Sequence, residues 1–172
     1  MSRGLKSTLW IEKYLKQKLS QEVSLDEERY LEVRNFVFLW NVYEREFLEN
    51  KCSVGKVWSN YGVFEPEQSV LNEYYAFLVK KYSSEVLFKR LKLAWDEGTY
   101  ESDVKSIISK TSPSSNEKMK VCMLIIWRYR NNLFHGGKEI SYIWKQGIIF
   151  REANKFLVSG LSKKTGVSIQ QY

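Results

Sequence analysis

Apolar residues recur every three to four positions along most of this chain, and the breaks between those stretches are short. Residues 5–19 put Ile11, Tyr14, Leu15 and Leu19 on one side of a first helix. Ser24-Leu25-Asp26-Glu27 reads as a capping box, in which the serine hydroxyl takes a free backbone N–H and the glutamate reaches back. A long helix then runs to residue 49, with the stripe Val33, Phe36, Val37, Trp40, Phe47 and Leu48. Two polar residues stand out: Glu44 falls inside the stripe, four positions after Trp40, and Asn41 lies beside it, four after Val37.

Residues 51–65 contain Gly55 and Gly62, show no clean period, and are expected to be a loop. Pro66 suits the first turn of the next helix, whose stripe is Val70, Leu71, Tyr74, Phe77, Leu78 and Tyr82. Ser83-Ser84 interrupts it. Residues 86–95 resume as helix, ended by Asp96-Glu97-Gly98. A short helix at 104–108 precedes a breaker at 111–116. The most apolar helix, 117–134, follows and is stopped by Gly136-Gly137. A last helix covers 141–161, and the polar tail from Ser162 is expected to fray. Within this region only 140–144 and 147–150 also suit a strand.

Long helices alternating with short breaks predict an all-α bundle of about five or six helices. At 172 residues the chain is long enough for one domain with a substantial core and short for two, so residues 1–172 read as a single domain. A hydrophobic content of 44% excludes a disordered chain, and aromatic residues at helical spacing point first to packing.

The net charge of +7 favours a polyanionic partner or a well-solvated surface, and the scattered lysines do not decide between them. Cys52, in the expected loop, and Cys122, in the apolar helix, make no disulfide framework. With a single histidine far from both, they make no structural zinc site either. No apolar run approaches the ~20 residues of a membrane span, and the first residues hold no apolar signal core before the first acid. The expectation is a soluble cytoplasmic protein with no membrane partner, metal or cofactor.

The sharpest chemical signal is Arg130-Asn131-Asn132-Leu133-Phe134-His135, followed by Gly136-Gly137. His135 is the single histidine of the chain. A titratable imidazole beside a fixed cation is what acid–base chemistry on a phosphate ester requires. On a continuous helix Asn131 and His135 share a face, and Arg130 is long enough to reach a common ligand from one position round. A position in the last turn favours the protonated imidazole through the helix dipole. That same negative end repels phosphate, and the arginine has to overcome this.

This segment resembles the signature of the HEPN superfamily (higher eukaryotes and prokaryotes nucleotide-binding domains): an arginine, four to six residues, then a histidine, often with a polar residue after the arginine. Arg130, Asn131 and His135 fit that pattern. The aromatic run Asn35-Phe36-Val37-Phe38-Leu39-Trp40-Asn41-Val42-Tyr43-Glu44-Arg45-Glu46-Phe47 is similar to the second helix of such proteins. The resemblance implies a bundle of about four or five helices with the motif late in the chain. It implies metal-independent RNA cleavage by a homodimer that joins two motifs in one cleft, in a toxin or phage-defence setting.

Carried over, His135 handles protons while the 2′-hydroxyl attacks the adjacent phosphate. Arg130 holds the phosphate, and Asn131 orients either group. Glu44 and Asn41 are supporting candidates, and Arg128 and Lys138 are the flanking RNA-binding cations. Partners would be RNA and an antitoxin or defence-system protein. Members controlled by a nucleotidyltransferase antitoxin often carry a tyrosine two residues after the histidine. Gly137 stands there, which argues against that form of control.

The same features allow a non-catalytic helical module that binds a nucleotide, RNA or protein. On that reading His135 is a helix-end residue, Glu44 pairs with a cation at the core edge, and Asn41 caps or bridges helices. A basic DNA-binding protein ranks lower, because no helix-turn-helix is evident.

Overall fold

The structure is a computed structural model and describes residues 27–91, 99–134 and 146–167. Within them lie seven α-helices and one 3-10 turn, and no strand. The helices are α1 (Glu27–Leu48), α2 (Val54–Asn60), α3 (Gln68–Tyr82), α4 (Glu85–Lys89), α5 (Thr99–Ile108), α6 (Ser115–Phe134) and α7 (Gly147–Thr165). The 3-10 turn Tyr61–Val63 extends α2. The all-α bundle expected from the periodicity is what the chain forms. The expected helix at 5–19, the Ser24 capping box and the glycines after the core helix lie outside the described residues.

Helix α6 is the axis of the bundle. Residues 121–129 are buried without interruption, which a helix tolerates only when neighbours cover every side. Helices α2, α3, α5 and the 3-10 turn pack on it, and α1 pairs lengthwise with α7, which also meets α3. One buried cluster draws side chains from all seven helices. Its centre is aromatic: Phe36 lies 5.0 Å from Phe150, Tyr74 4.9 Å from Phe156, and Phe64 5.4 Å from each of Tyr43, Phe47 and Phe156. Asn154 of α7 ties the long pair together, donating to the Glu32 backbone carbonyl at 2.9 Å and to its carboxylate at 2.7 Å.

Several boundaries differ from the sequence reading, each for a local reason. Residues 54–60 are helical rather than loop. The Ser53 hydroxyl accepts from the Lys56 N–H at 3.2 Å, and Val57 enters the core. Seven residues are too few for a period to emerge. Pro66 precedes α3 instead of starting it, and the Glu67 N–H at the cap is taken by the Ser159 hydroxyl of α7 at 2.9 Å. The 111–116 breaker ends two residues early. Ser114 and Glu117 form a reciprocal cap, the Glu117 carboxylate accepting from the Ser114 N–H at 2.8 Å and the Ser114 hydroxyl accepting from the Glu117 N–H at 3.3 Å.

Helix α4 closes at Lys89 in a turn at residues 90–91, inside the helix expected over 86–95, and residues 92–95 of that expectation lie outside the described residues. Helix α5 is longer than expected at its start. The strand-compatible run 147–150 opens α7, and the tail holds its helix to Thr165. There Gly166, at φ 71°, closes it with an N–H to the Ser162 carbonyl at 2.9 Å. Among the described residues no helix is long and apolar enough to cross a membrane.

Candidate functional site

Helix α6 emerges from the bundle at Arg130. Residues 121–129 are buried, and Arg130, Asn131, Asn132 and Leu133 are half-buried. The guanidinium is therefore placed at a rim, with apolar packing behind it. Its Nη2 lies 3.2 Å from Glu44 Oε1 of α1, and its Nη1 donates to Asn131 Oδ1 at 3.1 Å. The same Glu44 oxygen accepts from Trp40 Nε1 at 2.6 Å. Trp40, one turn earlier on α1, is fully buried, so its indole fixes the carboxylate from the core side.

Both guanidinium ends are thus held, and the plane of the fork is set before any ligand arrives. The side chains of Arg130 and Glu44 are 26% and 14% exposed. In so shielded a place the ion pair is stronger than a surface pair, and an arriving anion must compete with the carboxylate for the fork.

Cys52 completes the cluster from the segment before α2. Burial pushes its thiol up to about 12, and the Glu44 charge and a hydrogen bond to that carboxylate add to the effect. Arg130 and a hydrogen bond from Trp127 act in the opposite direction. The thiol is protonated at neutral pH, so this cysteine is poorly nucleophilic where it stands. Replacing Glu44 by glutamine removes the charge that suppresses the thiolate. Glu44→Gln should therefore make Cys52 alkylate faster with iodoacetamide at mildly alkaline pH, while Cys122, fully buried, stays silent in the folded protein. An unchanged Cys52 rate, followed by mass spectrometry, would show that Glu44 and Cys52 do not share this cluster.

The expected site residues separate clearly. Arg130, Asn131 and Glu44 come together. The cation partner foreseen for Glu44 at the core edge is Arg130 itself. Asn41 stays on the exposed side of α1 and returns its amide N–H to the Val37 carbonyl at 2.9 Å. Arg128, expected among the RNA-binding cations, is only 6% exposed, and its Nε donates to the Leu91 carbonyl at 2.7 Å. It anchors the turn after α4 instead of presenting charge to solvent. His135 and Lys138 lie outside the described residues.

The sequence marked Trp127 as an apolar wall beside the motif and Trp40 as a stripe residue, but it gave Cys52 no place at the site. The spacing of Trp40 and Glu44 was the available clue, and Cys52 carried none because its segment lacked a period. No family model, curated protein or solved structure matches this chain.

Proposed function

We propose that this protein is a HEPN-like, metal-independent endoribonuclease that works as a cytoplasmic homodimer. The observation that carries the reading is the braced guanidinium of Arg130, one residue before Asn131 and five before the single histidine, at the exit of the central helix of an all-α bundle. A pre-oriented fork suits a phosphate with two acceptor oxygens. In the reaction the RNA 2′-hydroxyl attacks the neighbouring phosphorus, and its proton passes to a base. The P–O5′ bond breaks, and the leaving oxygen takes a proton from an acid. His135 serves these proton transfers, one copy from each subunit of the dimer. Arg130 steadies the charge on the phosphoryl oxygens. The products are a 2′,3′-cyclic phosphate and a 5′-hydroxyl. A toxin or phage-defence setting, with an antitoxin or defence-system partner, follows from the same resemblance.

The test is purified protein incubated with labelled RNA and a chelator. Cleavage with cyclic phosphate ends, abolished in a folded His135→Ala protein, is the expected result. Cleavage unchanged in that variant would refute the assignment.

One observation favours a second reading, a non-catalytic binding module: the Arg130 charge is already matched by Glu44. Saturable, salt-sensitive RNA binding with no cleavage by the unaltered protein would select it.

A further inference from the structure

A second cluster lies farther back along α6. Lys120 places its ammonium 4.9 Å from the Trp58 ring centre and 5.0 Å from that of Tyr61. Trp58 in turn meets Tyr100 of α5 edge-on, at 5.1 Å and 61°. Trp58, Tyr61, Tyr100 and Lys120 come from α2, the 3-10 turn, α5 and α6, and all four remain half-buried. The aromatic residues of the core proper are treated differently: Trp40, Tyr43 and Phe64 are at most 1% exposed. The neighbouring acid Glu117 is committed to Lys110 and to the Ser114 cap, so it leaves the Lys120 charge unmatched by that side chain.

The cluster is in line with the Arg130 site. Lys120 and Asn131 are eleven positions apart, close to three helical turns, so they share a face of α6 and lie about 16 Å apart along its axis. Helix α2 bridges that interval. It begins just after Cys52, which touches Trp127 and Glu44, and ends just before Tyr61. At about 3.4 Å per stacked nucleotide, the interval matches about five nucleotides of one strand.

We propose that Trp58, Tyr61 and Lys120 form a stacking platform for unpaired bases of single-stranded RNA, on the same face of α6 as the Arg130 site. Aromatic faces accept any base, and a lysine already resting on them needs only a swing to meet the neighbouring phosphate. A duplex hides its base faces and offers this arrangement little. The inference rests on the ribonuclease reading only for the identity of the polymer; the ring geometry is independent of it.

The test uses the full chain and a short fluorescent 2′-O-methyl oligouridine, whose blocked 2′-oxygen cannot attack, so that binding is read by anisotropy without cleavage. Saturable binding is expected. Trp58→Ala and Tyr61→Ala should each weaken it about tenfold, and Trp58→Phe should retain most of it. Lys120→Gln should lower the slope of log affinity against log salt by about 0.7, one phosphate contact on a single strand. Circular dichroism identifies variants that have lost the fold. Should Trp58→Ala be one of them, Tyr61→Ala and Lys120→Gln carry the test.

Folded variants that bind like the parent overturn the platform. So does tighter binding of duplex RNA than of the single strand. Absence of binding to any strand overturns it as well and leaves the rings to a protein partner. Normal binding by the platform variants, in a protein that cleaves RNA, sinks this inference alone. Binding that needs Trp58, in a protein that never cleaves, sinks the ribonuclease reading alone.

Discussion

Arg130→Ala should lower RNA cleavage by about 10²–10³-fold, the usual cost of removing one group that stabilises developing charge on oxygen. Arg130→Lys should recover little, because an ammonium cannot span Glu44 and Asn131 while gripping two phosphate oxygens. The alanine variant should also be less stable by about 1–3 kcal/mol, since it leaves a shielded carboxylate without its cation. The two effects can be separated. In the Arg130→Ala/Glu44→Ala double variant neither charge remains, and much of the lost stability should return, read from denaturant midpoints at constant slope. Cleavage should stay lost. Recovery of cleavage in the double variant would reduce Arg130 to a brace for Glu44 and leave the chemistry elsewhere.

Glu44 had two meanings in the sequence, a helper at the site or a core-edge partner for some cation. The fold shows the second: the cation it meets is Arg130. Its position inside an apolar stripe was therefore a sound signal: a carboxylate in such a place needs partners, and Trp40 one turn away supplies one of them. Asn41 looked equivalent by the same logic, yet it sits just off the stripe and satisfies itself on its own helix. A shift of one position round a helix changes the face by 100°, and a single chain read alone does not fix which edge of a stripe is covered.

Arg128 shows the opposite failure. Charge pattern assigned it to solvent, whereas the structure buries it and gives its Nε to the Leu91 carbonyl in the turn after α4. The long helices were legible because burial against neighbours imposes a period over many turns. Helix α2 was not, because it depends on one serine cap and one buried valine. The platform rings were illegible for the same reason. Trp58, Tyr61, Tyr100 and Lys120 meet through tertiary contacts across more than sixty residues of chain, roughly the distance over which no periodicity argument carries.

Gly160→Ala should destabilise the protein by about 1–3 kcal/mol, although alanine is the better helix former by about 1 kcal/mol. Gly160 lies in the interior of α7, where a glycine has no conformational advantage. Its value is space. A Cβ placed there would collide with Cζ, Cε1 and Cε2 of Phe64. That ring is 1% exposed and is enclosed by Tyr43, Phe47 and Phe156, so it has nowhere to withdraw. The expected sign is thus set by packing over propensity, because close-packed aromatic neighbours transmit the overlap instead of absorbing it.

A compensating change makes the cause explicit. Phe64→Leu alone should cost stability by emptying part of the aromatic centre. In the Gly160→Ala background the same change should cost clearly less, giving a coupling of about 0.5–3 kcal/mol between the two positions. Thermal and urea unfolding of the four proteins measures it. Additive losses would mean that the ring does not rest on Gly160. A stabilised Gly160→Ala protein would mean that α7 and the Phe64 segment pack farther apart than this fold requires, and the seat of α1 against α7, which carries Glu44, would have to be drawn again.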